Sequence, residues 1–414
     1  MGGTLLPSAF VRTIAIALLA GAPMCASAQA PAARRAPPPS STAANLKTGC
    51  IERFDPGTDH FPEKARVGEG TGFSVEYHKS YKVLTVNRAY PDGPPERYVL
   101  LQCGAPRPAL TGDLSSAAVI PVPIKSMFSA STTHLPLLMD LGRLGVLTGV
   151  SSFADIMSPP VLARIQAGQV TEFGSRGTMD AERVVLKRPD ILMTGGDFSA
   201  GYVALRSAGI PVVANVEWLE TTPLGRAEWV KYMGLFLNEE GQATRRFEGV
   251  RERYQALRQR VQSIPEKDRP RVMTGGGPHG QFYIAGGRSY VATLIRDAGG
   301  RYVWAENTAT GSPLVDLEVQ IRRAADADVW INGGKWKKLA DVLADEPRYA
   351  EFKAYRNAQI WLYERRVNAA GANEYWSRSV ARPDLVLADL IKIFHPGLIP
   401  DHEFEWYIQV SREP

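Results

Sequence analysis

Between residues 238 and 264 the chain carries one unbroken amphipathic pattern, and no other stretch restricts the fold as much. Its apolar positions, Ala243, Phe247, Val250, Tyr254, Leu257, Val261 and Ile264, step by three or four residues, which is the spacing of a single helix face. Asn238 stands where an N-cap belongs. Glu239 and Glu240 fall in the first turn, where the helix dipole favours negative charge, and Pro265 and Pro270 close the pattern. Roughly 25 residues at about 1.5 Å each make a rod of about 38 Å. Such a rod is either one long surface helix or a strut between two lobes, and the sequence on either side decides between them.

On the N-terminal side, from Ala117, strands and helices alternate. AAVIPVPI reads as a buried strand, residues 125–134 as a small polar loop, LPLLMDLG as a helix and GVLTGVSS as a short strand. TMDAERVVLKRPDILMTGG is helix, turn, strand, glycines, and IPVVANVEW is a further strand. Thr222 and Pro223 then open a helix, as cap and first helical position, that runs to about Leu237. Beyond residue 265 the alternation begins again. RPRVMTGGG is a strand, SYVATLIRDAGG a helix and LEVQIRRAADADVWINGG another helix–turn–strand; WLYERR is a strand and ARPDLVLADLIKIFHP a closing helix. Residues 182–196 and 318–334 echo each other with a spacing that differs by two residues, so they share an architecture without being a strict repeat. The predicted fold is therefore α/β: two Rossmann-like lobes with mostly parallel sheets, joined by a single long backbone helix. Loops at the carboxyl ends of the strands then face each other across a cleft, the expected ligand site.

The N-terminus reads as a targeting segment. Arg12 precedes an apolar run over residues 13–22, and Ala26, Ser27 and Ala28 form a cleavage site of small residues, with cleavage expected after Ala28. Lipidation at Cys25 is the less favoured alternative, because Ala22, Pro23 and Met24 lack the leucine such a site carries. Residues 31–44 are rich in Pro, Ala and Ser, like a flexible tether. Cys50 and Cys103 remain after processing, and an exported pair in an oxidising compartment suggests a disulfide. Between them GFSVEYH, YKVLTVN and RYVLLQCG alternate like antiparallel strands, a small β-rich extension. The expected organisation is a signal peptide (1–28), a linker (29–48) and an N-terminal lobe (49–237, with the extension at 49–104). The backbone helix (238–264) and a C-terminal lobe (265–414) follow.

Several function classes are set aside. The net charge of +5 is mild, and no Lys/Arg run suggests a nucleic-acid groove. The six histidines are scattered, so no three- or four-ligand metal set is expected. The run of residues 275–280 is no phosphate loop, since no Gly-Lys-Ser/Thr follows; its glycines instead allow a tight turn or close backbone approach. There is no G-x-S-x-G elbow and no metal-binding helix motif, which weighs against an enzyme.

The phrases MDAERVVLKRPDILMTGG, AGIPVVANVEWLETTPLGRAEWVKYMG, RDAGGRYVW, ADADVWING and RPDLVLADLIKIFHP occur in an order that resembles the helical-backbone, TroA-like class of periplasmic substrate-binding proteins. The resemblance covers roughly residues 110–400. It implies a periplasmic receptor of an ABC importer, expected to be monomeric and without a cofactor, that captures an iron–siderophore-like chelate and hands it to a membrane permease. A cobalamin (corrinoid) or haem receptor is the alternative, and a chelatase-like enzyme the rival class. It further implies that Glu182 and Glu318, each opening a helix of one lobe, dock onto permease arginines; one carboxylate per lobe suits charge-assisted pairing.

For the cleft, the loops following the strands supply the candidates. In the first lobe these are Ser129, Ser131, Thr132 and His134, with Glu172, Phe173, Asp197, Phe198, Glu217 and Trp218. In the second they are His279, Phe282, Tyr283, Asn307, Asn332 and Trp336, with Asn373, Tyr375 and Trp376. A large chelate needs aromatic faces with a few placed polar groups. Arg288 and Arg378 are the candidate cations for an anionic chelate. Trp304, Trp330 and Trp361 are expected to pack the core.

Overall fold

The computed structural model describes residues 44–175, 178–196, 200–277 and 281–412. The targeting segment, Cys25 and most of the tether lie outside the described residues, as do Asp197, Phe198 and His279.

The extension is a four-stranded sheet. Its strands β1 (Phe73–Tyr77), β2 (Tyr81–Val86) and β3 (Glu96–Gln102) pair antiparallel. A fourth, β4 (Ala118–Val122), lies parallel to β3, with Leu101 opposite Pro121. The stretch AAVIPVPI thus completes the extension and does not begin the lobe's own sheet. As an edge strand β4 tolerates Pro121, which has no N–H to offer a ladder. Cys50 and Cys103 are joined in a disulfide with Cα atoms 4.6 Å apart. The extension is held to the helices behind it by carboxylates. Glu228 accepts the backbone N–H groups of Gly68, Glu69 and Gly70, and Glu220 those of Thr71 and Gly72, at 2.7–3.1 Å.

The first lobe begins at β5 (Met127–Ser129), inside the stretch expected to be a loop. All three residues are buried, and three residues are too few to display a period. In order follow α1 (His134–Asp140), β6 (Leu147–Val150), α2 (Pro159–Gln166) and β7 (Thr171–Glu172), then a two-stranded ribbon of β8 (Gly174–Ser175) and β9 (Thr178–Met179). After the ribbon come α3 (Ala181–Lys187), β10 (Ile191–Thr194), α4 (Ala200–Ser207) and β11 (Val212–Ala214). The sheet order is β11-β10-β5-β6-β7, all parallel. Two helices close the lobe: α5 (Pro223–Ala227), capped by the Thr222 hydroxyl accepting from Gly225 N at 3.0 Å, and α6 (Trp229–Leu237), buried along its whole length.

The strut is α7 (Glu240–Val261), 22 residues long. Asn238 is not its N-cap. It ends α6 in the left-handed conformation (φ 54°), fully buried, with its amide donating to Gln102 Oε1 at 3.0 Å and to the Leu46 carbonyl at 2.8 Å. Asparagine serves both as an N-cap and as a left-handed helix end, so the residue type alone did not separate the two roles. Along α7 the apolar face changes partner. Ala243, Phe247 and Val250 pack into the first lobe's core. Tyr254 and Val261 belong to the second lobe's core, with Leu257 and Ile264 at its edge.

The second lobe contains β12 (Arg271–Thr274), β13 (Gln281–Tyr283), α8 (Tyr290–Asp297), β14 (Arg301–Tyr302), β15 (Leu314–Asp316), α9 (Leu317–Ala324) and β16 (Val329–Ile331). It continues through α10 (Leu339–Asp345), α11 (Lys353–Arg356), β17 (Ile360–Leu362), α12 (Glu374–Arg378), α13 (Pro383–Phe394) and β18 (Ile408–Gln409). Its sheet runs β14-β12-β16-β17-β18, parallel except for β18. The echoing phrases of the sequence are α3–β10 and α9–β16, each feeding an interior strand of its sheet. Helix α13 packs along α7, where Arg253 Nε donates to Asp384 Oδ2 at 2.7 Å.

Candidate functional site: the interlobe cleft

The strand ends of the two sheets converge on a cavity of about 730 Å³. From the first lobe come Ser131 and Thr132 after β5, Glu217 and Trp218 after β11, and Arg226 on α5. The second lobe supplies Tyr283 on β13, Tyr290 at the start of α8, Asn332 after β16, Tyr363 after β17, and Tyr375 and Trp376 on α12. A side chamber of about 390 Å³ adds Ser151, Ser152 and Asp155 from the first lobe and Lys335, Glu364 and Asn373 from the second. Ser131, Thr132 and Trp376 line both spaces, so the chambers meet at the Trp376 indole.

Three large side chains on this wall remain open to solvent: Trp218 at 44 %, Tyr283 at 47 % and Trp376 at 49 %. Apolar faces exposed together around one void mark a binding surface. They are held in place from behind. Trp218 Nε1 donates to the Gly195 carbonyl at 2.7 Å. Tyr363 and Tyr375 stack with centroids 4.5 Å apart, and Trp376 stands edge-on to both. Gly275, at the end of β12, has φ 88°, and a Cβ there would lie 1.7 Å from the Tyr283 carbonyl oxygen. Only glycine lets β13 fold back this closely, which accounts for part of the glycine run.

Among the described residues of the main cavity, the two charges neutralise each other. Arg226 Nε donates to Glu217 Oε2 at 2.9 Å, and a second guanidinium nitrogen lies 2.7 Å from the same oxygen, both side chains being buried. The guanidinium also sits 4.3 Å from the centre of the Tyr290 ring, so a first-lobe cation rests on a second-lobe aromatic. Burial opposes the arginine's charge, but the Glu217 carboxylate more than compensates and holds its pKa above the ordinary value.

Of the sequence candidates, Ser131, Thr132, Glu217, Trp218, Tyr283, Asn332, Tyr375 and Trp376 line the main cavity, and Ser129 and Asn373 the side chamber. Others lie elsewhere. His134 is fully buried behind Ser129, its Nδ1 2.8 Å from Ser129 Oγ. Phe173 stacks on Phe128 in a satellite core at 5.1 Å, and Glu172 accepts from Phe153 N at 2.6 Å. Phe282 is wholly buried beneath Trp330, and Trp336 donates from Nε1 to Asp345 at 2.6 Å with its ring against Trp330. Asn307 folds onto its own loop, accepting from Ala309 N at 2.9 Å. In each case the side chain satisfies a packing or loop need and does not reach the cleft. Arg288 is exposed and lines neither chamber, and Arg378 is engaged with Glu405 at 2.6 Å. Trp304, Trp330 and Trp361 pack in or against the second core, as expected.

Sequence reasoning missed Arg226, Tyr290, Tyr363, Asp155, Lys335 and Glu364. Tyr363 and Glu364 directly follow β17, so the strand-end rule would have found them. Arg226 and Tyr290 sit on helices, where nothing in the local pattern separates a cleft residue from a packing one.

Glu182 and Glu318 both stand exposed in the first turns of α3 and α9. Glu318 is engaged with Arg348, one of whose guanidinium nitrogens donates to Oε2 at 3.3 Å; these hydrogen bonds lower its pKa. Beside Glu182, α3 and α4 expose Val185, Leu186 and Val203.

Two α/β lobes, one shared helix and an aromatic cleft at the strand ends define a solute-binding protein of the helical-backbone class. The chain belongs to the periplasmic binding protein family, whose model matches residues 129–366. That family comprises extracytoplasmic solute-binding proteins of ABC transporters, and they are not enzymes. An uncharacterized lipoprotein of Methanocaldococcus jannaschii is 27 % identical over 308 residues, covering 71 % of each chain. A periplasmic binding protein from Veillonella parvula superposes with a TM-score of 0.54 at 14 % identity, over 79 % of this chain and 99 % of its own. A periplasmic heme binding protein from Pseudomonas aeruginosa gives 0.52 at 20 % identity, over 70 % of this chain and all of its own.

Proposed function

We propose that this chain takes an iron–siderophore-like chelate into the interlobe cleft and delivers it to an ABC permease, docking through Glu182 and Glu318. The observation that carries the ligand class is the trio of half-exposed aromatic faces, Trp218, Tyr283 and Trp376, drawn from both lobes around about 730 Å³. A bare ion would need several donors at bonding distance. Among the described residues no group of three His, Cys, Asp or Glu side chains could hold one. A corrinoid or haem is the second reading. The same aromatic walls favour it, and the Pseudomonas aeruginosa neighbour is a heme binding protein.

In this reading the export signal is removed after Ala28, and the mature protein works as a monomer with lobes at 49–237 and 265–414 about the helix at 238–264. The name lipoprotein borne by the archaeal relative makes Cys25 the competing processing site. The mass of the exported protein separates the two, since acylation at Cys25 adds a lipid and retains more of the N-terminal residues. For the ligand, tryptophan fluorescence of the mature protein is titrated with ferric hydroxamate, catecholate and citrate complexes, cobalamin, haem and Zn²⁺. Saturable quenching at micromolar or lower concentration by a ferric chelate supports the proposal. Quenching by cobalamin or haem alone selects the second reading, and silence across the panel overturns both.

A further inference from the structure

We infer that the cleft selects chelates of zero or positive net charge and excludes anionic ones; this rests on the reading of the protein as a chelate receptor. The chain as a whole carries a net charge of +5. Among the described residues lining the two chambers, however, only Arg226 and Lys335 are cationic, against the carboxylates of Glu217, Asp155 and Glu364. The described lining of the cleft is therefore slightly negative on a positive protein.

Within the cleft the charges divide between the two chambers. In the main cavity Arg226 is buried, bound twice to Glu217 and stacked on Tyr290, so its charge is already compensated before a ligand arrives. The other walls there are aromatic rings and neutral polar groups. A trianionic chelate entering would shed its hydration with no unpaired cation among the described lining residues to replace it, and burying an unpaired charge is costly. Lys335 lies in the side chamber together with two carboxylates. Glu364 is held in place by Asn373, whose Nδ2 donates to Oε1 at 3.1 Å, and Asp155 comes from the first lobe. Trp376 lies where the chambers meet and offers an electron-rich face to a cation passing between them. A chelate with a neutral metal centre in the main cavity and an ammonium arm in the side chamber suits the charges on these walls.

The test compares three ferric probes by fluorescence titration at fixed ionic strength. They are a tris-hydroxamate bearing a free ammonium arm, the same complex with that arm acetylated, and a tris-catecholate trianion. Both hydroxamates should bind, the ammonium form about fivefold more tightly, a difference of the size expected for a partly exposed ion pair. The trianion should bind at least about 100-fold more weakly, because unpaired like charge is strongly unfavourable at an interface. In the Asp155→Asn, Glu364→Gln double variant the ratio of the two hydroxamate affinities should fall to about one, and a ratio that stays near five overturns the assignment of the ammonium arm to this chamber. A trianion that binds as tightly as the hydroxamates overturns the charge rule and leaves the receptor reading standing. Failure of all three probes overturns the reading as a ferric-chelate receptor and this inference with it.

Discussion

Acidification from pH 7 to pH 5 should weaken the fold, and the contribution of one side chain, His134, can be isolated. It lies in the first turn of α1, fully buried, and burial pushes its pKa down to about 3 from an ordinary 6.5. The unfolded chain takes up a proton on this imidazole below about pH 6.5, whereas the folded chain does so only near pH 3. Between those values the unfolded state holds more protons, so stability falls as pH falls. At about 1.36 kcal/mol per pH unit, the span from about 6.5 to 5 amounts to about 2 kcal/mol. The geometry gives the effect a structural consequence. Ser129 Oγ lies 2.8 Å from both the Ser131 carbonyl oxygen and His134 Nδ1, which makes the neutral ring a support for the loop carrying Ser131 and Thr132 into the cleft. The assay is urea unfolding of wild type and His134→Asn at pH 7 and pH 5, at constant ionic strength. The variant loses stability at both values, and the informative quantity is the difference between the two pH dependences. Wild type should lose about 2 kcal/mol more than the variant between pH 7 and pH 5. Equal pH dependence in the two proteins would refute the reasoning.

Further outcomes are expected. Lys82 is fully buried and donates to the Leu235 carbonyl (2.6 Å), Asn238 Oδ1 (2.9 Å) and Glu240 Oε1 (2.6 Å). Lys82→Met should cost about 3–5 kcal/mol in urea unfolding by stranding Glu240, and Lys82→Met with Glu240→Leu should recover most of that; no recovery would dismiss the charge argument. Reversing the charge at Glu182 and Glu318 should abolish uptake and leave ligand affinity unchanged, whereas a parallel loss of affinity would remove both from the docking role. Opening the Cys50–Cys103 bridge, which spans 53 residues, should lower stability by about 4 kcal/mol on the chain-entropy estimate, and peptide mapping of the non-reduced protein should find no free thiol at either position. Ligand should change the radius of gyration only slightly, as measured by small-angle scattering with and without ferric chelate; a large compaction would show that α7 bends.

How much of this was legible depended on how far each signal reaches along the chain. The face of α7 was visible because its apolar positions recur turn after turn. What that face does, serving one core through Phe247 and the other through Tyr254, depends on tertiary packing. Strand β5 was hidden because three buried residues carry no period, and β4 was assigned to the wrong sheet because pairing with β3 is a long-range event. In the cleft, the rule that ligands meet residues just after strand ends located Trp218 and Asn332. The same rule led astray at Phe173, where an aromatic after a strand turns inward onto Phe128. Residue type does not reveal which way a loop side chain points.

The division between fixed and free parts of the cleft follows from these packing choices. Its floor is tied across the lobes: Arg226 on the first lobe rests on Tyr290 of the second, and Arg253 and Tyr254 on the shared helix hold Asp384 and Asp297 of the second. Hinge bending at that level would separate a buried guanidinium from its aromatic partner and pull α7 out of one of its two cores. At the rim the connections are weaker. Asn368 Nδ2 reaches the Ala154 carbonyl at 3.4 Å from an exposed position, and Trp218, Tyr283 and Trp376 are each about half open. A ligand therefore gains its burial by covering rim aromatics that are already in place, and only side-chain adjustment is left for closure. Such a receptor discriminates by what its fixed walls present before the ligand arrives, and here the described walls present aromatic faces and a slight excess of carboxylate.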